Sequence, residues 1–401
     1  MIIFVSMYKA FRYRIYPTNS QKELIHKHCG SIRFIYNLAL ETKTMAYVGS
    51  KVNLSRYDLQ KQMVDLKKEL PWLKETNSQS LQVALLNLDT AYKSFFKGCG
   101  FPSFKKKSNR GSFNVPQNVI VSGNQLIIPK FKEGIKIKLH RDLVGTIKQC
   151  TVSFTPTGKY FVSILCDTET ESPKKKPIKE ETTIGLDLGI KDFAITSDGE
   201  VFENTKYLRK SMQRLKVLQR RASKKQKGSA NRKKANLRVA ILHEKITNQR
   251  KDFQHKLSSK LINDNQVDSI ALETLKISNM VKNHKLAQSI NDVSWYSFTE
   301  MLEYKADWYG KNIIRVGTFF PSSKMCSSCG YINKELKLSD RSWICPVCSK
   351  EHDRDVNASI NIKQFALKHS GKEFPVEPVE MSTLVESMKQ EAYLSPLGVG
   401  G

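Results

Sequence analysis

Residues 182–203 read TTIGLDLGIKDFAITSDGEVFE. In an extended chain Ile184, Leu186, Leu188 and Ile190 point one way, and Gly185, Asp187 and Gly189 the other. The run predicts a strand with one apolar face and one face of glycines around a carboxylate. "FAIT" (193–196) and "EVFE" (200–203) predict two more strands, joined through the turn "SDG" (197–199). A carboxylate in mid-strand is costly if it is buried without a partner. A salt bridge is the plain explanation for Asp187; a site shared with other acids is the alternative.

Working toward the C-terminus, residues 206–262 predict a long helical hairpin broken at "KGSAN" (227–231). Between Lys206 and Lys251 stand seventeen Lys/Arg and a single acid, Glu244. A solvated helix face normally mixes signs, so this excess predicts a phosphate-binding face. Its candidate backbone contacts are Arg214, Arg220, Arg221, Lys224, Lys225 and Arg232. "VDSIALE" (267–273) is short, apolar and ends in Glu273, which suits a buried parallel strand. "NIIRVGTFF" (312–320) predicts another.

Residues 325–362 then read MCSSCGYINKELKLSDRSWICPVCSKEHDRDVNASINI. Cys326 and Cys329 form one CxxC pair, Cys345 and Cys348 a second, with fifteen residues between. Two such turns complete a tetrahedral thiolate cage for Zn²⁺. Four thiolates close the shell, so that metal is structural. The chain leaves the knuckle directly into acids. Asp353 and Asp355 open a predicted helix, "DVNASINIKQFALKH" (355–369), that buries Val356, Ile360 and Phe365 or Ala366. A carboxylate at a helix start is ordinarily a cap.

The combination of acids is less ordinary. One lies mid-strand in a hairpin-rich sheet, a second ends a later strand, and a third opens the last helix. This describes an RNase H-like nuclease arrangement, in which carboxylates hold two divalent ions roughly 3.5–4 Å apart at a phosphodiester. Gly185 and Gly189 leave room for a sugar-phosphate backbone beside Asp187. In this reading the knuckle is an insertion within the nuclease domain.

Upstream, "YKAFRYRIY" (8–16) alternates Phe11, Tyr13 and Ile15 with Arg12, Arg14 and Tyr16, a strand with one basic face that ends at Pro17. "SQKE" (20–23) predicts a capping box and a helix start. Leu24, His28, Ile32, Ile35 and Ala39 mark that helix; Leu59, Met63, Leu66 and Leu70 a second, ending at Pro71; Leu81, Leu85, Leu88, Tyr92, Phe95 and Phe96 a third. From Phe101 to about Asp167 short β-branched runs predict antiparallel strands and a small barrel, which the first strand joins. "ESPKKKPIKEE" (171–181) is a linker, placing a domain boundary near residue 178. After Ser370 the composition predicts a disordered tail.

The chain has 401 residues and a net charge of +28, from 66 Lys+Arg against 38 Asp+Glu. Such an imbalance points to a polyanion, and nucleic acid is the obvious one. A membrane is the rival, but no apolar run approaches the roughly 20 residues a spanning helix needs. "MIIFVSMYK" is too short for a secretory signal, and Met7 is an alternative start. Of the eight cysteines, Cys29, Cys99, Cys150 and Cys166 show no framework spacing. They read as thiols of a reducing, cytoplasmic compartment.

"GLDLGIKDFAITSDG", "ALETLKISNM", "SWYSFTEMLEYKADWYG", "FFPSSKMCSSCG" and "HDRDVNASINI" resemble the TnpB proteins of bacterial and archaeal insertion sequences, relatives of the type V CRISPR effector nucleases. "FRYRIYPTNSQKELI", "CGSIRFIYN", "LDTAYKSFFK" and "FPSFKKK" match as well, so the resemblance covers about residues 8–367. It implies an α/β multidomain chain: a wedge β-barrel (1–18 and 101–178) carrying a helical recognition module (19–100), then a split RuvC nuclease domain (179–323 and 351–370) with a zinc-ribbon target-nucleic-acid-binding insertion (324–350). Residues 371–401 remain as the tail. The implied partners are a guide RNA from the transposon's right end and double-stranded DNA beside a short transposon-associated motif, bound by a monomer or by a dimer on one RNA. The implied catalytic carboxylates are Asp187, Glu273 and Asp355, holding Mg²⁺ or Mn²⁺. The implied motif readers fall on Arg56, Gln60, Ser78, Gln79, Gln82 and Gln117, of which Gln82 fits the family pattern best. A Gln bridges adenine edges and an Arg favours guanine.

Three rival functions share these residues. A non-cleaving RNA-guided regulator is opposed by the intact acids. A CRISPR-associated effector with a repeat-derived guide has the same chemistry. A DNA transposase is permitted by the acids alone, but the helical and barrel modules suit an RNA-holding protein better.

Overall fold

The computed structural model describes residues 6–318, 320–337 and 339–369. The expected tail lies outside them. The chain divides into two compact units, Met1–Glu171 and Ser172–Gly401.

The first unit begins with β1 (Ser6–Tyr16), whose Phe11, Tyr13 and Ile15 are buried as the alternation requires. Helix α1 (Asn19–Ser50) follows. Its capping box uses Thr18 and Gln21, not Ser20 and Glu23. Both pairs fit the sequence pattern; the helix takes the first one free of Pro17, whose ring fixes the preceding chain. Helices α2 (Arg56–Glu69) and α3 (Ser78–Phe96) complete a three-helix cluster. Ile35, Leu40, Leu59, Met63, Leu81, Leu85 and Leu88 share its core.

Strands β2 (Gly111–Val115), β3 (Ile120–Ser122), β4 (Gln125–Ile128), β5 (Phe131–Lys138), β6 (Thr146–Phe154) and β7 (Tyr160–Glu171) join β1 in one sheet, ordered β2-β6-β7-β1-β5-β4-β3. Among the described residues no ladder joins β2 to β3, so hydrogen bonding does not close the expected barrel. The sheet curls instead. Phe113 of β2 and Phe131 of β5 stack with centroids 6.4 Å apart inside one core.

The second unit starts earlier than the break expected near residue 178. Lys176 pairs with Asp268 at 2.6 Å and Lys175 with Asp307 at 3.3 Å, so the basic run is fastened to this unit. Strands β8 (Thr183–Leu188), β9 (Asp192–Thr196) and β10 (Val201–Glu203) form an antiparallel meander. The basic hairpin is α4 (Tyr207–Ser223) and α5 (Ala230–Asn263). Strand β11 (Ser269–Glu273) then pairs parallel to β8. Short α6 (Ile277–Met280), α7 (His284–Val293) and α8 (Trp295–Tyr309) lead to β12 (Asn312–Val316), parallel to β11 on its other side. The sheet order is β10-β9-β8-β11-β12.

One face of this sheet meets α5, α7 and α8 through Leu186, Phe193, Leu272, Leu261, Val293 and Phe298. A two-stranded piece, β13 (Ser342–Ile344) and β14 (Glu351–Asp353), carries the knuckle. The last helix, α9 (Arg354–His369), covers the opposite face of the sheet. It does not bury Val356 and Ile360 as periodicity predicts. Its buried residues are Asn357, Ala358, Ser359, Asn361, Ile362 and Ala366. Small side chains are needed there, because a β-carbon on Gly185 would run into the Ser359 carbonyl oxygen. Among the described residues no helix is long and apolar enough to cross a membrane.

Candidate active site

Leu186 of β8 and Leu272 of β11 are register partners, fully buried under the helices. The next residue of each strand is an acid. Asp187 and Glu273 therefore leave adjacent parallel strands on the opposite face, the one that α9 covers. That face also holds Gly185 and Ala271. Asp355 stands in the first turn of α9, one turn before Ser359, whose carbonyl lies over Gly185. Three elements far apart in sequence thus bring their acids to one end of the sheet.

The acids sense one another. Burial pushes the Asp187 carboxyl up to about 7, and the charges of Glu273 and Asp355 push the same way. Arg354 and the Leu188 N–H oppose this. Burial also raises Glu273, against a hydrogen bond donated by the Ser322 hydroxyl. Asp355 Oδ2 accepts from Arg341 Nη1 at 3.1 Å. Asp353 has another task. Its Oδ1 accepts from the N–H groups of Asp355 and Val356, each at 3.0 Å, and so caps α9.

Hard carboxylate oxygens around a buried, mutually repelling set suit a divalent cation, which relieves the repulsion. Among the described residues the one tight ligand group, with atoms within 4.8 Å of one another, is the cysteine set. Asp187, Glu273 and Asp355 do not form such a group.

In the knuckle the Cys326 and Cys348 sulfurs are 3.6 Å apart and those of Cys329 and Cys345 3.5 Å. Zn–S bonds of about 2.3 Å in a tetrahedron place sulfurs about 3.8 Å apart, so the cage has the dimensions of a zinc site. His352 Nε2 lies 3.0 Å from Cys326 Sγ, in position to hydrogen-bond a ligand sulfur.

Of the basic hairpin residues, Arg214, Arg220, Arg221, Lys224 and Lys225 are exposed. Arg232 is half-buried and its Nη1 donates to the Lys225 carbonyl at 3.0 Å, bracing the turn between the helices. In the first unit, Gln79 Nε2 donates to Gln117 Oε1 at 2.8 Å, with Ser78 and Gln82 beside Gln79 on α3. Lys67, near the end of α2, donates to Ser78. Arg56 begins α2 and stands with Leu86, Asp89 and Lys93, further along α3, and Gln60 lies one turn on. At 1.5 Å per residue, Arg56 is roughly 16 Å along α2 from Lys67. The structure gathers Ser78, Gln79, Gln82 and Gln117 and leaves Arg56 apart.

Ser322, Arg341, His352, Asn357 and Asn361 are contacts that the sequence reading does not name. One signal was available: Asn357, Asn361 and Gln364 recur at helical spacing beside the face of Val356 and Ile360 expected to be buried.

Residues 163–284 match the OrfB_IS605 family model, described as "Probable transposase". Residues 295–362 match the Cas12f1-like TNB domain, and residues 7–51 a "Helix-turn-helix domain". The latter stretch here is β1 and one uninterrupted helix. A protein of Streptomyces pristinaespiralis named "Putative RNA-guided DNA endonuclease" is 38% identical, covering 98% of each chain. "Putative RNA-guided DNA endonuclease InsQ" of Escherichia coli K12 is 31% identical, over 93% of this chain and 98% of that one. A solved chain from a Cas12f1–sgRNA–target DNA complex shares the fold with a TM-score of 0.58 at 13% identity, over 89% of this chain and 99% of its own.

Proposed function

The chain belongs to the TnpB family, and from that premise we propose that it is an RNA-guided DNA endonuclease of an insertion sequence. It takes a guide RNA from the transposon end and cuts double-stranded DNA beside a short motif. The observation that carries this reading is the convergence of Asp187, Glu273 and Asp355, with Asp187 pushed up to about 7 by burial and by its neighbours.

The fold supports the following layout. The five-stranded sheet with α9 is the RuvC nuclease domain, of RNase H type, and residues 324–350 are its zinc ribbon. The curled sheet is the wedge and α1–α3 the recognition module, with Ser78, Gln79 and Gln82 of α3 and Gln117 of the sheet's β2–β3 connection as the motif readers. The exposed cations of α4 and α5 hold RNA backbone.

Asp187, Glu273 and Asp355 would hold Mg²⁺ or Mn²⁺, which lower the pKa of a water and neutralise charge at the scissile phosphate. The chain's own part is positional. Burial fixes Asp187 and Glu273 on a rigid parallel pair. Ser322 orients the Glu273 carboxylate. Arg341 holds Asp355, and its guanidinium would suit a phosphate oxygen as a second partner. Target sequence is read by base pairing to the guide.

The test is to strip the purified chain of nucleic acid and offer it plasmid with Mg²⁺, with and without the RNA that copurifies. Cutting confined to the RNA-loaded chain supports the reading; equal cutting without RNA leaves an ordinary nuclease.

A further inference from the structure

We infer that Asn357 and Asn361 are positioning residues that fasten the thiolate knuckle to α9, so that a filled cage holds the acids in register. The inference rests on the reading of those acids as a divalent-metal site.

Both amides are buried, Asn357 at 2% exposure and Asn361 at 0%. Asn357 Oδ1 accepts from the Ser327 N–H at 3.0 Å, and its Nδ2 donates to the Met325 carbonyl at 2.7 Å. Asn361 Nδ2 donates to the Met325 and Ser322 carbonyls at 2.6 and 2.8 Å. Gln364 Nε2 donates to the Ser327 carbonyl at 3.2 Å. These backbone groups bracket Cys326, a cage sulfur that is itself buried. The turn carrying the first thiolate is thus hydrogen-bonded to side chains of α9.

The same two bodies reach all three acids. Asp355 lies two residues before Asn357 on α9. Ser322, held by Asn361 through its carbonyl, donates its hydroxyl to Glu273. Ser359, between the two asparagines, seats the helix on Gly185, two residues before Asp187. A path of direct contacts therefore runs from Cys326 through Met325 and Ser327 to Asn357, and from Asn361 through Ser322 to Glu273.

At Asn357 an amide is required because it donates and accepts at once; aspartate cannot donate to the Met325 carbonyl, and leucine does neither. Zinc that gathers the four sulfurs pins the Cys326 turn. Without it the turn loses its anchor, the asparagines lose fixed partners, and the first turn of α9 loosens with Asp355 on it. A ribbon that only touched DNA would behave otherwise: zinc loss would weaken DNA binding and leave the affinity of the acids for a cation unchanged.

The experiment uses the full chain with its copurifying RNA. Zinc is counted by elemental analysis, and Mn²⁺ binding is followed by electron paramagnetic resonance beside the melting temperature. Wild type should hold one zinc per chain. Asn357→Leu should keep the zinc and the RNA yet bind Mn²⁺ at least about tenfold more weakly, the usual scale for removing a group that orients a metal ligand. The Mg²⁺ needed for half-maximal cutting should rise by a similar factor. Asn357→Asp should lose affinity likewise. Cys348→Ser, whose sulfur lies 3.6 Å from that of Cys326, should lose zinc and reproduce the weakening, which decides the matter if Asn357→Leu does not fold. Mn²⁺ affinity within twofold of wild type in zinc-free Cys348→Ser, or in a folded Asn357→Leu whatever its melting temperature, overturns the inference. Asp187→Ala should abolish Mn²⁺ binding; if it binds normally, the acid-site reading falls and this inference with it. Cutting that needs no guide, with the Mn²⁺ results as expected, overturns the guided reading alone.

Discussion

The carbonyl oxygen of Ser359 lies within clashing distance of where a β-carbon of Gly185 would stand, which sets how closely the last helix approaches the strand of Asp187. This close approach explains a glycine in mid-strand that backbone angles do not. Gly185→Ala should push α9 away and destabilise the unit by about 1–3 kcal/mol, the usual cost of overpacking. Cleavage should fall further than stability, because Asp355 moves with the helix. A thermal melt beside a cleavage assay checks both.

Asp187→Ala, Glu273→Ala and Asp355→Ala should each abolish cutting while RNA-guided DNA binding persists, since affinity comes from cations and base pairing. Asp353→Ala should retain cutting and cost about 1 kcal/mol, as removing a helix cap does. The reverse pattern for Asp353 and Asp355 would move the third ligand by two residues.

The acids predict a pH dependence. Asp187 is raised to about 7, so between roughly pH 4 and 7 the folded chain holds a proton there that the unfolded chain has released. Metal-free stability should therefore fall as pH rises through that window. Asp187→Asn should remove the effect and raise the melting temperature at pH 8 without metal. Mn²⁺ affinity of the wild type should climb toward pH 7 and level above it.

Neutralising Arg220 and Arg221 should weaken RNA binding and flatten its salt dependence, by about 0.7 in slope for each single-strand phosphate that no longer meets a cation. Titrations of RNA binding at several salt concentrations measure that slope. Arg232→Ala should act instead on stability, because its guanidinium braces the Lys225 carbonyl.

Much of this was legible in the sequence. Asp187 and Glu273 stood out because each interrupts or ends an apolar run, and the CxxC pairs announce their own geometry. The face of α9 was not legible. Periodicity assumes an apolar core, whereas Asn357 and Asn361 are buried against backbone groups some thirty residues earlier, and nothing local in "DVNASINI" names Met325 as their partner. Arg341 was invisible for the same reason: its link to Asp355 depends on how the knuckle folds back. At Thr18 the difficulty was two overlapping capping patterns in "TNSQKE".

The central claim is tested most directly by exchanging guides. One preparation of RNA-free chain is loaded in turn with two RNAs that differ only in their guide segments, then given Mg²⁺ and a plasmid carrying both matching sites beside the motif. The account predicts that each complex cuts only at its own site, and that Asp187→Ala cuts at neither. Cutting at one site whichever guide is loaded would contradict it.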